Sequence, residues 1–560
     1  MLGIAIQNCS AVASSHKLNP MKKILFLAFT VLAITVSFAQ TEEALVFFAD
    51  KENVEASLAN PITILTQEAL DRKYLHNIPV DERDVPLNEA YKTTISNQAG
   101  ITVFAKSKWM NAVYVRGTKV NIENLLDLEF VTEVEFMNKD FNRPFKPRTP
   151  WDKFEIENQP QPENYDYGAA SNQTEMINVD ILHDEGYTGA GITVAFMDNG
   201  YPNVLSNRAY ETMRNENRLL GYYDFVDRIA NPNGTGSHGT NTLSTAAAFI
   251  EGEFTGTGPN ASYYLFITED GRQESPVEEA YWVEALERAD SLGVFVTNTS
   301  LGYQEFDNPS YDHKYSDLDG QTAIGSRGAN HAFDKGMINV VSAGNSAAGF
   351  GYVNSPADAP GAFTIGAVDS DGNYAWFSSF GPTYDGRVKP DVMAQGQNSA
   401  IVNRNGNVDH SSGTSFSAPI IAGAIASLWE VAPHLTNAEI MQIVRESADR
   451  YNNPTDLMGY GIPDFESALQ MTKALQVENQ KQGALFAVYP NPVKTQLNVS
   501  FPKNTSTATF VLYDVLGKQV LQQPITASQN QVNFSRLKSG LYIATITSDN
   551  KSTSFKIIKQ

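Results

Sequence analysis

Cysteine is almost absent: Cys9 is the single one in 560 residues. It precedes the expected start of the mature protein, so the mature chain has no disulfide and no thiol nucleophile. Cysteine–histidine catalysis is thereby excluded. Positive charge is also scarce. Lys and Arg number 41 against 63 Asp and Glu, a net charge of -22. That balance argues against a nucleic-acid partner, which would want a basic stripe, and against electrostatic docking on anionic lipid. A solvated acidic surface accounts for it. The apolar run Ile24 to Phe38 is short for a membrane span. No internal repeat and no low-complexity tract occurs. What is present is the composition of globular protein, 42% hydrophobic and 19% charged, at a length that suits about three or four domains.

Met21-Lys22-Lys23, the apolar run and Ala39-Gln40 form the pattern of a secretory signal peptide over 21–40, with an uncleaved anchor as the alternative. Met21 is expected as the true start, because residues 1–20 carry no such pattern. Residues 41–142 read as a small α/β unit with strands at Ile101–Phe104 and Ala112–Val115. Residues 143–165 are polar and proline-rich, with Pro144, Pro147, Pro150, Pro160 and Pro162, and read as an exposed linker and cleavage zone. Residues 166–475 alternate strands and helices. Strands are expected at Ile192–Met197, Tyr263–Ile267, Val294–Thr297, Ile338–Val341 and Phe363–Ile365. Ser275-Pro276 with Glu278 and Glu279 reads as a serine-capped helix start, and Gly293 as its end. Strand, helix, strand at this spacing predicts a doubly wound, mostly parallel sheet with helices on both faces. A linker at 476–483 leads to 484–560, which is rich in Val, Thr, Tyr and Phe and predicts a small all-β sandwich.

Three short stretches carry chemistry. Asp198 closes the apolar run Ile192–Met197, so it stands at the carboxyl end of a buried strand, the edge where α/β sheets bind ligands. His238, in Gly236-Ser237-His238-Gly239-Thr240, falls in the first turn of a helix that continues into an alanine-rich run. Ser415, in Gly413-Thr414-Ser415-Phe416-Ser417-Ala418-Pro419, precedes the apolar helix Ile420 to Leu428. A helix start aims backbone N–H groups at developing negative charge. A serine hydroxyl is a weak nucleophile until a base accepts its proton and a third group orients that base. Asn345, in Ser342-Ala343-Gly344-Asn345 after the strand Ile338–Val341, offers an amide donor for an oxyanion. Each motif alone has an ordinary reading as a cap or turn residue; their conjunction in the order Asp, His, Ser is specific.

These segments resemble the subtilisin-like serine peptidases, the subtilases (peptidase family S8), over 166–475. The resemblance implies that Asp198 orients, His238 is the base, Ser415 attacks and Asn345 completes the oxyanion hole. Ser300-Leu301-Gly302 resembles the family's Ser-Leu-Gly strand, which implies substrate binding through its backbone. Asn199 departs from the family's Ser or Thr after the aspartate. Lys106-Ser107-Lys108-Trp109-Met110-Asn111-Ala112-Val113 resembles the propeptides of related bacterial subtilases, implying an intramolecular inhibitor that assists folding and is cut off; a permanent accessory domain is the alternative. Val488-Tyr489-Pro490-Asn491-Pro492, Leu512 to Lys518 and Ser539-Gly540-Leu541-Tyr542-Ile543 resemble the type IX secretion sorting domain of Bacteroidetes, implying that secretion machinery as a partner and a secreted or cell-surface destination. A glycan-binding or packing sandwich is the alternative there.

The expected function is a secreted serine endopeptidase acting on polypeptides; the alternative is an inactive subtilase scaffold serving as a binding or adhesion protein. Catalysis is expected to need no cofactor. His183, His313, His331 and His434 lack metal-ligand spacing, and His410 is expected in a loop. The acidic stretch Asp307–Asp319 has no EF-hand ladder; structural calcium and a solvated loop both stay open there.

Overall fold

The computed structural model describes residues 41–139, 167–481, 486–489, 493–501, 505–514, 518–548 and 551–559. The signal segment, the 143–165 linker and Pro490-Asn491-Pro492 lie outside the described residues.

The N-terminal unit is an antiparallel sheet of β1 (Thr41–Phe48), β2 (Ile101–Ser107), β3 (Ala112–Thr118) and β4 (Val131–Phe136), ordered β2-β3-β1-β4. Helix α1 (Gln67–Leu75) lies between β1 and β2 in sequence, capped by the Thr66 side chain.

The central unit holds seven parallel strands: β5 (Thr193–Asp198), β6 (Leu219–Asp224), β7 (Ser262–Ile267), β8 (Val296–Thr299), β9 (Ile338–Ser342), β10 (Ala362–Val368) and β11 (Val392–Gln395). Their order is β11-β10-β9-β8-β5-β7-β6. The chain thus fills one side of β5, first the edge strand β6 and then β7 between it and β5, before crossing to the other side at β8, leaving a switch point between β5 and β8. Side chains alternate across the sheet. Val194 and Phe196 join the core of Leu243, Ile421 and Trp429, whereas Ala195 and Met197 join that of Trp282 and Leu286. The first layer is built by α2 (His238–Ala247) and α5 (Thr414–Val431), the second by α3 (Val277–Ser291) and α4 (Ile324–Asp334). Helix α5 is apolar all round because it is buried all round, the pattern of a core helix rather than a surface one.

Two expectations shift. The strand expected at Val294–Thr297 runs Val296–Thr299, because Gly293 at φ 81° still belongs to the helix exit. Ser275 is not the cap of α3: Pro276 occupies that position without a side-chain bond. The Ser275 hydroxyl donates instead to Glu43 Oε2 of the N-terminal unit at 2.7 Å. The strands β6 and β11 escaped the periodicity reading, the first half-exposed and the second only four residues long.

The N-terminal sheet packs on α3 and α4. Leu45, Ala105, Trp109 and Tyr114 share one core with Ala280, Val283 and Ile324. Glu287 of α3 accepts from Ser107 Oγ at 2.6 Å, Lys108 N at 2.9 Å and Trp109 N at 3.0 Å. A second anchor lies farther along. Arg72 and Lys73 of α1 pair with Asp290, and Lys335 reaches Asp81 and Asp84, each at 2.8 Å. Arg72, Lys73, Asp84, Asp290 and Lys335 are all buried, so each charge depends on its partner. His76 stacks on Trp429 and bonds Pro433 O at 2.9 Å.

Helix α6 (Phe465–Lys481) extends into the segment read as the 476–483 linker. Beyond it, Ala487–Tyr489, Gln496–Ser500 and Gln531–Asn533 form one antiparallel sheet. Thr507–Asp514, Gln519–Thr526, Gly540–Ser548 and Lys551–Lys559 form a second. Their inner faces enclose one core that includes Val499, Phe510, Phe534 and Ile546.

Candidate active site

The switch point gathers the residues singled out from the sequence. Asp198 ends β5 and is fully buried. His238 is the first residue of α2, and its Nδ1 lies 2.8 Å from Asp198 Oδ1 and 2.9 Å from Oδ2. A carboxylate accepts, so Nδ1 carries the hydrogen and Nε2 presents the lone pair. Thr242 stands one turn on, at i+4 from His238, and its hydroxyl donates to Asp198 Oδ2 at 3.2 Å. The backbone N–H of Asn199 donates to Asp198 Oδ1 at 2.8 Å, and the Asn199 carbonyl accepts from Thr235 N and Gly236 N. Both services come from the main chain, which is why an asparagine stands at this position without disturbing the aspartate.

Ser415 is the second residue of α5, and the Phe416 ring lies 5.9 Å from that of His238. Pro419 falls inside this helix. It has no N–H, so the carbonyl four residues earlier, that of Ser415, receives no helical hydrogen bond from it. Ser300 Oγ donates to that carbonyl at 2.7 Å. In return Ser415 Oγ donates to the Ser300 carbonyl at 3.1 Å. Ser300, Leu301 and Gly302 lie just past the end of β8 rather than in a strand, and the Leu301 side chain is buried in the core.

Asn345 follows β9. Its Oδ1 accepts from Thr414 N at 2.9 Å and Thr414 Oγ1 at 3.0 Å. With the oxygen held there, Nδ2 is turned to the other side. Gly413 has φ 147°, and a Cβ on it would stand 3.3 Å from Asn345 Nδ2. A side chain is therefore disfavoured by backbone conformation and by contact alike. Thr414 also accepts from Gly344 N at 3.1 Å. The sequence reading missed Thr242, Thr414 and the pairing of Ser300 with Ser415; of these only Thr242 had a signal, its spacing from His238.

His410 lies on a strand, Val408–Ser411, of a hairpin with Ser399–Val402, rather than in a loop. In the stretch 307–319, Asp307 accepts from Glu274 N, Asp312 from Phe306 N, and Asp319 from Gln321 N and Thr322 N. No three His, Cys, Asp or Glu side chains among the described residues gather to hold a metal ion.

A sequence model of the subtilase family matches residues 189–462, the span that contains Asp198, His238, Asn345 and Ser415. Residues 189–462 are a subtilase domain. A Bacteroidota peptidase S8 propeptide domain matches 43–152, and a secretion system C-terminal sorting domain matches 487–560. Among relatives, serine protease AprX of Bacillus subtilis (strain 168) is 27% identical over 319 residues, 52% of this chain and 68% of that protein. Subtilisin Savinase of Lederbergia lenta is 27% identical over 296 residues, 52% of this chain and 96% of that one. MycP1 from Mycobacterium smegmatis has a solved structure with a TM-score of 0.43 and 22% identity, covering 58% of this subtilase and 89% of that chain. This subtilase is a serine-type endopeptidase with a propeptide domain and a sorting domain that marks it for export to the cell surface or the surrounding medium.

Proposed function

We propose that this subtilase is an exported zymogen whose mature enzyme cuts polypeptides through an acyl-enzyme on Ser415. The observation that carries the reading is the pairing of His238 Nδ1 with buried Asp198 at 2.8 Å beside a serine at the start of a buried helix. The Ser415 hydroxyl turns from the Ser300 carbonyl to His238 Nε2 and attacks the peptide carbonyl carbon. Nε2 takes the proton as the C–O bond forms. The resulting imidazolium is stabilised by the Asp198 carboxylate. The carbonyl oxygen gains negative charge and is met by Asn345 Nδ2 and the Ser415 backbone N–H, fixed donors that need no reorganisation. His238 then protonates the leaving amine, and the C–N bond breaks. Water repeats the sequence on the ester and frees Ser415. No step requires a metal or organic cofactor.

The propeptide domain serves as the intramolecular inhibitor, held by Glu287 and by the buried pairs at Asp290 and Lys335. The type IX secretion machinery is the partner that reads the sorting domain. A second reading, a dead scaffold used for binding, draws on the Ser415 hydroxyl being engaged by Ser300 O at 3.1 Å. A fluorophosphonate probe separates the two. The matured protein is expected to label, and Ser415→Ala is expected neither to label nor to shed its propeptide in a host lacking other peptidases. Absence of Ser415-dependent labelling sinks the enzyme reading.

A further inference from the structure

The N-terminal unit falls into two parts that hold different ends of the enzyme. Its own core is closed by the four strands and by residues from Leu87 onward; among the described residues, none from 49 to 86 enters it. The segment 61–85, an arm that contains α1, lies instead on the base of the central sheet. Phe295 comes just before β8 and Gly336 just before β9, Asp290 and Ser291 close α3, and Pro433 comes just after α5. These are the ends opposite to Asp198, Ser300, Asn345 and Ser415. Helix α5 alone, with 18 residues at 1.5 Å each, separates its two ends by about 27 Å.

The arm fits that base closely. Thr66 N donates to Ser291 O at 3.0 Å. Arg72 and Lys73 share Asp290, Lys335 takes Asp81 and Asp84, and Arg83 Nη1 lies 3.1 Å from Asp334. The His76 ring stacks on Trp429 at 5.5 Å and meets the Phe295 ring edge-on at 5.7 Å. A Cβ on Gly293 would stand 2.7 Å from the Glu68 carbonyl carbon, and one on Gly336 would strike Ile78. Loss of the arm bares the Trp429 ring to water and strips Asp290 and Lys335 of their partners. The arm is tied to its own sheet by Lys51, whose Nζ donates to Glu82 O and Val85 O on one side and Lys108 O on the other. Beside Lys51 the connecting helix Val54–Ala59 has no buried residue, so it is open to cleavage. A cut there severs β1, the strand between β3 and β4, and the sheet loses the pairing that holds it together.

We propose that the base of the catalytic domain is a docking surface in its own right, and that the arm stays on it as a separate short chain after the inhibitory sheet has gone. The surface takes adjacent cations at Asp290, an aromatic ring three residues later on Trp429, and a pair of carboxylates at Lys335. Ser415 of the same molecule stands at the other end of the strands and does not reach the arm.

This inference rests on the zymogen reading, and its test separates the two. The full chain is left to process itself, purified under native conditions, and its chains are weighed by denaturing mass spectrometry. A single unprocessed chain refutes the zymogen reading and takes this inference with it. Given processing, the expected result is a catalytic chain with an equimolar peptide that contains 66–84. A catalytic chain alone, or one that holds all of 41–142, overturns the inference. Arg72→Gln with Lys73→Gln in the full chain leaves the catalytic groups untouched and is expected to cut the retained peptide to about a tenth or less. His76→Ala, a milder change, is expected to lower it in the same direction and decides the matter if the double variant does not fold. Retention in these variants within about twofold of the wild type overturns the assigned contacts.

Discussion

Raising the pH from 6 to 8 is expected to loosen the propeptide through one side chain. Burial pushes Glu287 up from its ordinary 4.5 to about 7, although Lys108, the Ser107 hydroxyl and two backbone N–H groups favour its charged form. Once the propeptide leaves, the face of α3 that carries Glu287 meets water, and the group returns toward 4.5. The bound state therefore holds the proton more tightly than the free state. Propeptide affinity from this source is complete below pH 4.5 and is lost as pH rises through 7. The two values predict a loss of about 1.4 kcal/mol between pH 6 and 8, or about tenfold in affinity. His76 and His331 work the other way. Burial lowers both in the complex, so their contribution is present above their ordinary 6.5 and is lost as pH falls below it. Glu287→Gln keeps the shape, removes the titration and leaves both histidines in place. The assay is the inhibition constant of the cleaved propeptide for the matured enzyme at each pH. The ratio of wild-type to Glu287→Gln inhibition constants is expected to rise about tenfold from pH 6 to 8. A ratio constant within about twofold refutes the argument.

Three other perturbations follow from the geometry. Asn345→Leu removes the side-chain oxyanion donor and is expected to lower kcat by about 10²- to 10³-fold with KM little changed, read from steady-state kinetics. Thr414→Val keeps the shape but loses the hydroxyl that holds Asn345 Oδ1 at 3.0 Å. It is expected to cost kcat about 10-fold, near the worth of one hydrogen bond, and an unchanged kcat counts against the positioning role. Asp290→Asn strands the buried charges of Arg72 and Lys73. In the unprocessed Ser415→Ala chain it is expected to cost about 3–5 kcal/mol in denaturant unfolding, and a loss below about 1 kcal/mol contradicts the account of that anchor.

Much of the site was legible because it depends on local backbone context. An apolar run that stops at Asp198 predicts a buried strand end, and the structure ends β5 there. Gly236 to Thr240 and Gly413 to Pro419 predict helix starts, and α2 and α5 begin at His238 and Thr414. Local context failed where a distant group competed. The Ser275 hydroxyl, a natural helix cap, is claimed by Glu43, 232 positions away in sequence. The reciprocal bonds between Ser300 and Ser415 span 115 positions, so the reason for Pro419 in the serine motif was invisible until the two segments met.

From its sequence alone the chain determined its peptidase class, its order of functional segments and the elements on which Asp198, His238, Ser415 and Asn345 sit. Periodicity, glycine, proline and helix starts are short-range effects, and a sequence displays them directly. The tertiary structure alone decided which way each group faces: the tilt of the Asn345 amide under Thr414 and the hold of Glu287 on the propeptide. Those outcomes depend on how a parallel sheet buries both faces and which segments that packing brings to the switch point between β5 and β8.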